Sequence, residues 1–176
     1  LFIGNNFEDA HKKLLFFVYQ YGHSVTNTKE VMCEGYVVTD SIGDTEEYVN
    51  TLPKPDFHDS YVGGLPLETL VASLSKDEYT RQAVFVPNRE VQSHQPCIVA
   101  VQFIIRGNRL HTVVFQRSGE LLRKVPRDFL AWQKVQNDIA FRLGIAPGAF
   151  TQFFTSAHYY RKDENYVFEL VKKLIP

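Results

Sequence analysis

The segment QPCIVAVQFIIRGNRLHTVVFQRS, residues 95–118, decides how the chain folds. It holds two apolar runs, Val99–Ile105 and Leu110–Phe115, separated by Arg106, Gly107, Asn108 and Arg109. β-Branched and aromatic residues favour strands, and Gly and Asn accept positive φ at little cost, so the segment predicts a β-hairpin. A hairpin brings together the outer ends of its two strands. Cys97, before the first run, then lies beside Gln116, Arg117 and Ser118, after the second. A thiol, a guanidinium, an amide and a hydroxyl at one end of a strand pair form a candidate site.

Downstream, Val125, Pro126, Arg127 and Asp128 open a helical segment. Leu130, Trp132, Val135, Ile139 and Leu143 keep helical spacing over Phe129–Leu143, with Asp128 as the expected N-cap and Gly144 as the stop. Phe150–Phe154 reads as a strand, and Glu164–Leu174 as a closing helix through Val167, Leu170, Val171 and Leu174. Upstream, Phe7–Tyr21 predicts an amphipathic helix capped by Asn6 or Asn5 and stopped at Gly22. Val31–Thr39 predicts a strand, Asp44–Asn50 a short helix, Pro66–Leu74 a helix, and Arg81–Val86 a strand ended by Pro87. Between residues 40 and 66, Gly43, Pro53, Pro55, Gly63, Gly64 and Pro66 interrupt any period. Residues 88–96 read as a polar loop carrying His94. Strands interleaved with long helices place the chain in the α+β class, around one mixed sheet.

At 176 residues, the chain is expected to form one domain, residues 1–176, large enough to bury a sizeable core. Hydrophobic residues at 44% and charged residues at 22% exclude a disordered chain. A formal charge of -1 gives no support for a nucleic-acid polymer as partner. No apolar run reaches the length of a membrane span, so no membrane partner is expected. Two cysteines far apart, Cys33 and Cys97, suit free thiols in a reducing compartment, with the cytoplasm as the expected location.

The junction residues each have a bland and a chemical reading. Cys97 is either a small buried hydrophobe or a nucleophile, and a guanidinium such as Arg117 favours a thiolate. Gln116, Arg117 and Ser118 together make an anion cradle. Asp128 is a helix cap or an acceptor for an N–H of a bound base. His158 and Tyr160, two apart on a strand end, point to the same side.

In combination, Pro96–Cys97 with Gln102–Phe103, then Gln116–Arg117–Ser118, then Pro126 with Asp128, then His158 with Tyr160, resemble the thymidylate synthase superfamily. That superfamily includes the cytidylate hydroxymethylases. The resemblance is close over residues 80–163 and holds only in outline before that. It implies a thymidylate synthase-like mixed sheet packed with helices, and a homodimer joined sheet to sheet. It implies a transferase that acts on a pyrimidine nucleoside monophosphate with 5,10-methylenetetrahydrofolate as cofactor. Cys97 would add to C6 of the base, which makes C5 nucleophilic. Arg117 and Ser118 would bind the 5′-phosphate, with Arg81 reaching it across the dimer. His158 and Tyr160 would hold the sugar, and Glu120 would stand by the folate.

Asp128 is the informative departure, because uracil-specific members carry asparagine there. An ionised carboxylate only accepts hydrogen bonds, which suits the N4 amino group of cytosine and opposes uracil O4. The resemblance thus favours C5 hydroxymethylation of CMP or dCMP. The alternatives are methylation of dUMP, a nucleotide-binding module without chemistry, and an unrelated α+β domain. Ile98 and Gln82 stand where the family carries a histidine and a second arginine. Sixteen residues follow Tyr160, so the longer segment that closes over folate is not expected. For orienting water, Glu34, Glu46 and Glu47 are the candidate carboxylates.

Overall fold

In the computed structural model, which describes residues 1–39, 45–57, 59–87 and 95–175, seven described strands form one mixed sheet with five α-helices against it. In chain order these are β1 (Phe2–Gly4), α1 (Phe7–Tyr21), β2 (His23–Val25), β3 (Thr28–Val38), α2 (Thr45–Thr51) and α3 (Leu67–Lys76). There follow β4 (Val84–Phe85), β5 (Ile98–Arg106), β6 (Arg109–Glu120), α4 (Val125–Leu143), β7 (Ala146–Tyr160) and α5 (Glu164–Val171). The order across the sheet is β1-β3-β7-β6-β5-β4, and β2 pairs with β3 outside that path. β1 runs parallel to β3 and β6 parallel to β7, while the other pairs are antiparallel.

The hairpin forms as its sequence dictates. Gly107 and Asn108 take φ of 58° and 57°, and Ile98 stands opposite Gln116. The parallel step from β6 to β7 needs a long crossover, and α4 supplies it. α1 is capped as expected, Asn6 accepting the Asp9 N–H at 2.9 Å.

Several boundaries differ from expectation. The strand expected at Arg81–Val86 shrinks to Val84–Phe85, and the one expected at Phe150–Phe154 extends to Ala146–Tyr160. Asp128 is not the N-cap of α4. Pro126 sits at the helix start, where a missing N–H costs nothing, so the helix begins at Val125 and Asp128 falls within its first turn. Asp44 and residues 88–94, including His94, lie outside the described residues.

The core lies between the sheet and α1 and α4. Phe7 stacks on Phe129 at 4.3 Å, and Phe129 meets Phe150 edge-on at 4.7 Å. Trp132, Tyr36, Phe103 and Phe154 are also fully buried, and each such ring contributes about 2–3 kcal/mol by leaving water. The helices contact one another and one side of the sheet. On the other side Phe115 is 40% exposed and stacks on Phe153 at 5.3 Å.

Candidate active site

The outer end of the hairpin, the turn after β6, the start of α4 and the end of β7 converge on one cavity. It encloses about 620 Å³ including its mouth, and Cys97, Ser118, Glu120, Asp128, His158 and Tyr160 line it. Backbone pairing sets this arrangement. The Arg117 N–H donates to Cys97 O at 2.9 Å, and Ser118 and Glu120 stand opposite Ser156 and His158. The Leu121 N–H donates to His158 O at 2.8 Å, which ties the turn to β7.

Cys97 is half-buried, and both cysteines are free. Asp128 is buried, and Gln116 Nε2 donates to its Oδ2 at 2.7 Å. Gln116 is itself 1% exposed. It therefore acts on the cavity through Asp128, whereas the sequence had suggested direct contact with a substrate. Burial lowers the proton affinity of His158, against the opposing pull of Glu120 and Glu30, so its imidazole is neutral near pH 7. His158 Nδ1 is buried without a hydrogen-bond partner among the described residues. His158 and Tyr160 meet edge-on at 6.1 Å and face the cavity together.

Two expected site residues, Arg117 and Glu120, have their polar groups engaged by the protein itself. Arg117 turns away from the cavity: its Nε donates to Pro96 O at 3.1 Å and a terminal nitrogen to Gln95 O at 2.8 Å. Strand alternation explains this, because Gln116 and Ser118 take the inner face and leave Arg117 the outer one. Arg81, expected to act across a dimer, is exposed on this chain. Glu120 lines the cavity, but its oxygens are occupied. They accept the N–H groups of Leu122 (3.3 Å), Arg123 (2.7 Å) and Lys124 (3.1 Å), and the Arg123 guanidinium lies at 3.4 Å. Glu34, Glu46 and Glu47 are not in the lining.

Phe57, Asp59, Tyr61 and Lys124 complete the wall and were not anticipated. Tyr61 adopts φ 60°. Its N–H donates to Asp59 Oδ1 at 2.7 Å, and Trp132 Nε1 donates to Ser60 O at 3.1 Å, so this loop is fastened to α4. Burial, with the charges of Cys97 and Asp59, raises the Tyr61 hydroxyl above the usual phenol range, and a backbone hydrogen bond at Cys97 opposes the rise. The one signal in the sequence was an aromatic pair within a Gly- and Pro-rich stretch, which has no period to reveal a side chain's direction.

Residues 59–175 match the family model described as Thymidylate synthase. The chain belongs to the thymidylate synthase family. It is 26% identical over 110 residues to a Methanococcoides burtonii protein, covering 60% of this chain and 51% of that one. It is 29% identical over 108 residues to a Methanopyrus kandleri protein, covering 58% and 52%. Both carry the name "Putative thymidylate synthase". To the thymidylate synthase of Symbiobacterium thermophilum it is 32% identical over 76 residues, covering 43% of this chain and 27% of that one. The chain thus spans about half the length of the first two relatives. The family match covers every cavity residue except Phe57.

Proposed function

We propose that the Cys97 cavity binds a pyrimidine nucleoside monophosphate and transfers a one-carbon unit to C5 of the base, with CMP or dCMP hydroxymethylation as the reaction. The observation that carries this reading is the grouping of Cys97, Ser118, Asp128, His158 and Tyr160 around one cavity in a chain of this family. Cys97 Sγ adds to C6, and the electron pair released to C5 attacks a one-carbon electrophile. Loss of the C5 proton then expels the one-carbon carrier and leaves an exocyclic methylene at C5; water adds to that carbon as Cys97 is expelled from C6, which restores the aromatic ring. Gln116 donates to Asp128 Oδ2, which orients the carboxylate at the cavity wall, where an ionised acid accepts from a 4-amino group. His158, neutral, and Tyr160, both facing the cavity, supply hydrogen bonds for the sugar. Arg117 positions the strand leading into Cys97 by holding the carbonyls of Gln95 and Pro96.

The family resemblance names methylenetetrahydrofolate as the one-carbon donor. Glu120, the residue expected beside it, does not fit that task, because backbone N–H groups and Arg123 fill its acceptor positions. The donor's identity is therefore decided by experiment. A homodimer joined through the open sheet face is also part of the proposal, supported by the exposed Phe115–Phe153 stack.

A second reading is dUMP methylation, favoured by the names of the relatives. Tritium release from C5 of labelled CMP, dCMP and dUMP, with and without methylenetetrahydrofolate, separates the two. Release from a cytidylate, lost in Cys97→Ala, is the expected result. Release from dUMP alone, with formation of dihydrofolate, would establish the second reading and overturn the first.

A further inference from the structure

His158 and Tyr160 stand on the last residues of β7, and strand pairing secures that end unevenly. Toward β3 the ladder runs as far as Thr28 opposite Tyr160. Toward β6 it stops sooner, at Glu120 opposite His158, followed by the bond from the Leu121 N–H to His158 O. From there the chain turns away into α4, so the β6 ladder does not reach Tyr160 on the side of Asp128.

Side chains take over where the ladder ends. Arg123, in the turn, donates from both terminal nitrogens to the two carboxylate oxygens of Asp163, each at 2.8 Å. The two side chains are only 19% and 14% exposed. A two-pronged guanidinium–carboxylate pair with little solvent around it holds a fixed geometry, which a single solvated ion pair does not. Both ends of the pair are anchored. On the turn side, Glu120 accepts the Arg123 N–H at 2.7 Å, and Arg127, next to Asp128 in α4, donates to Arg123 O at 2.7 Å. On the β7 side, the Arg161 N–H donates to Asn27 O at 2.9 Å.

We infer that Arg123 and Asp163 are positioning residues for a nucleoside: their pairing holds His158 and Tyr160 at the distance from Asp128 at which one ligand engages its base and its sugar hydroxyls together. The inference rests on the nucleotide reading above and adds two residues that are not in the described lining of the cavity. They act through the walls that they join. A wall displaced by about 1 Å forfeits a well-aligned hydrogen bond to the ligand.

The test compares the affinity of CMP with that of its 2′,3′-dideoxy analogue, which keeps base and phosphate and lacks the sugar hydroxyls. It is run on the unaltered chain, Arg123→Met and Asp163→Asn. The second variant keeps the shape of the side chain and one acceptor, so it serves where Arg123→Met does not fold, and circular dichroism checks both. The unaltered chain is expected to prefer CMP about 10-fold, the worth of one hydrogen bond, and each folded variant to lose that preference. A pair that only stabilises the fold lowers both affinities alike; a preference kept in the variants overturns the inference. Amide exchange at Leu121, whose N–H bridges the two walls, is followed beside that at Val114 within β6. If the unaltered chain binds neither nucleotide, or both equally, the nucleotide reading has failed at this wall and exchange decides. Faster exchange at Leu121 than at Val114 in the variants then upholds the pair as what sets the two walls, whichever ligand the cavity takes, and unchanged exchange overturns it.

Discussion

Gln116 and Asp128 form one unit: a fully buried amide gives a hydrogen bond to a carboxylate at the cavity wall. Asp128→Asn presents a donor where the chain has an acceptor, and is expected to move base preference from cytidylate toward uridylate by roughly 100-fold or more, read as a ratio of kcat/KM values. An unchanged ratio would remove Asp128 from base recognition. Gln116→Met is expected to lower the same ratio, and the two changes together should cost less than their sum, because both act through one carboxylate. His11 is a different kind of buried polar residue. It is fully enclosed, with Nε2 2.7 Å from Leu121 O and Nδ1 2.8 Å from the Tyr48 hydroxyl. Facing a carbonyl, Nε2 carries the proton and Nδ1 accepts from Tyr48. Burial lowers the pKa of His11 from 6.5 to about 4. Between those values the unfolded chain binds the proton more readily, so stability is full above pH 6.5 and falls as pH drops toward 4. The loss from His11 is roughly 3 kcal/mol, and His158, also lowered, adds in the same direction. Urea denaturation across this range measures the slope. His11→Phe should flatten it and cost about 2–4 kcal/mol at pH 7, through the orphaned carbonyl and hydroxyl.

At the scale of elements, the turn between β6 and α4 is held on both sides. The Glu120 carboxylate gathers three successive N–H groups, and Arg123 meets Asp163 with two hydrogen bonds of 2.8 Å. Before it, Gly119 leaves room for the Phe154 ring: a Cβ there would lie 2.3 Å from Cδ1. Gly119→Ala is expected to cost about 1–3 kcal/mol through overpacking, seen as a lower urea midpoint with an unchanged slope. This part of the fold also marks where the sequence was legible. The hairpin and α1 followed from periodicity and turn residues, because their apolar patterns are uninterrupted. β7 was truncated in the reading at Phe154, since Thr155, Ser156 and His158 break the apolar alternation. Of these, His158 faces the cavity, and Ser156 donates to Glu30 of β3 at 2.7 Å. Pro126 carried the true helix start, but the capping preference of aspartate suggested a later one. Glu120, not Asp128, takes the N–H groups of the turn, and Asp128 lines the cavity with Gln116 bonded behind it. The order of Cys97, Asp128, His158 and Tyr160 along the chain revealed most of the cavity. The outward turn of Arg117 and the inward placing of Tyr61 depend on tertiary packing, which no local pattern encodes.

The whole molecule has helices on one side of its sheet and an apolar, partly exposed surface on the other. If the proposed dimer forms through that surface, the unaltered chain is expected to sediment as a dimer and Phe115→Glu as a monomer, because a buried unpaired charge is costly at an apolar interface. Dimers that persist would place the interface elsewhere. The crossover through α4 has a separate consequence. The cavity takes walls from residues on both sides of Gly144, which ends α4 at φ 68° and is exposed. Cutting the chain there divides it into a piece with Cys97, Ser118 and Asp128 and a piece with His158 and Tyr160, neither of which contains a complete cavity. β7 lies between β3 and β6 in the sheet, so the second piece can return only by inserting as a central strand. Recovery of CMP binding on mixing the two would make this chain a complementation reporter whose signal measures strand insertion itself.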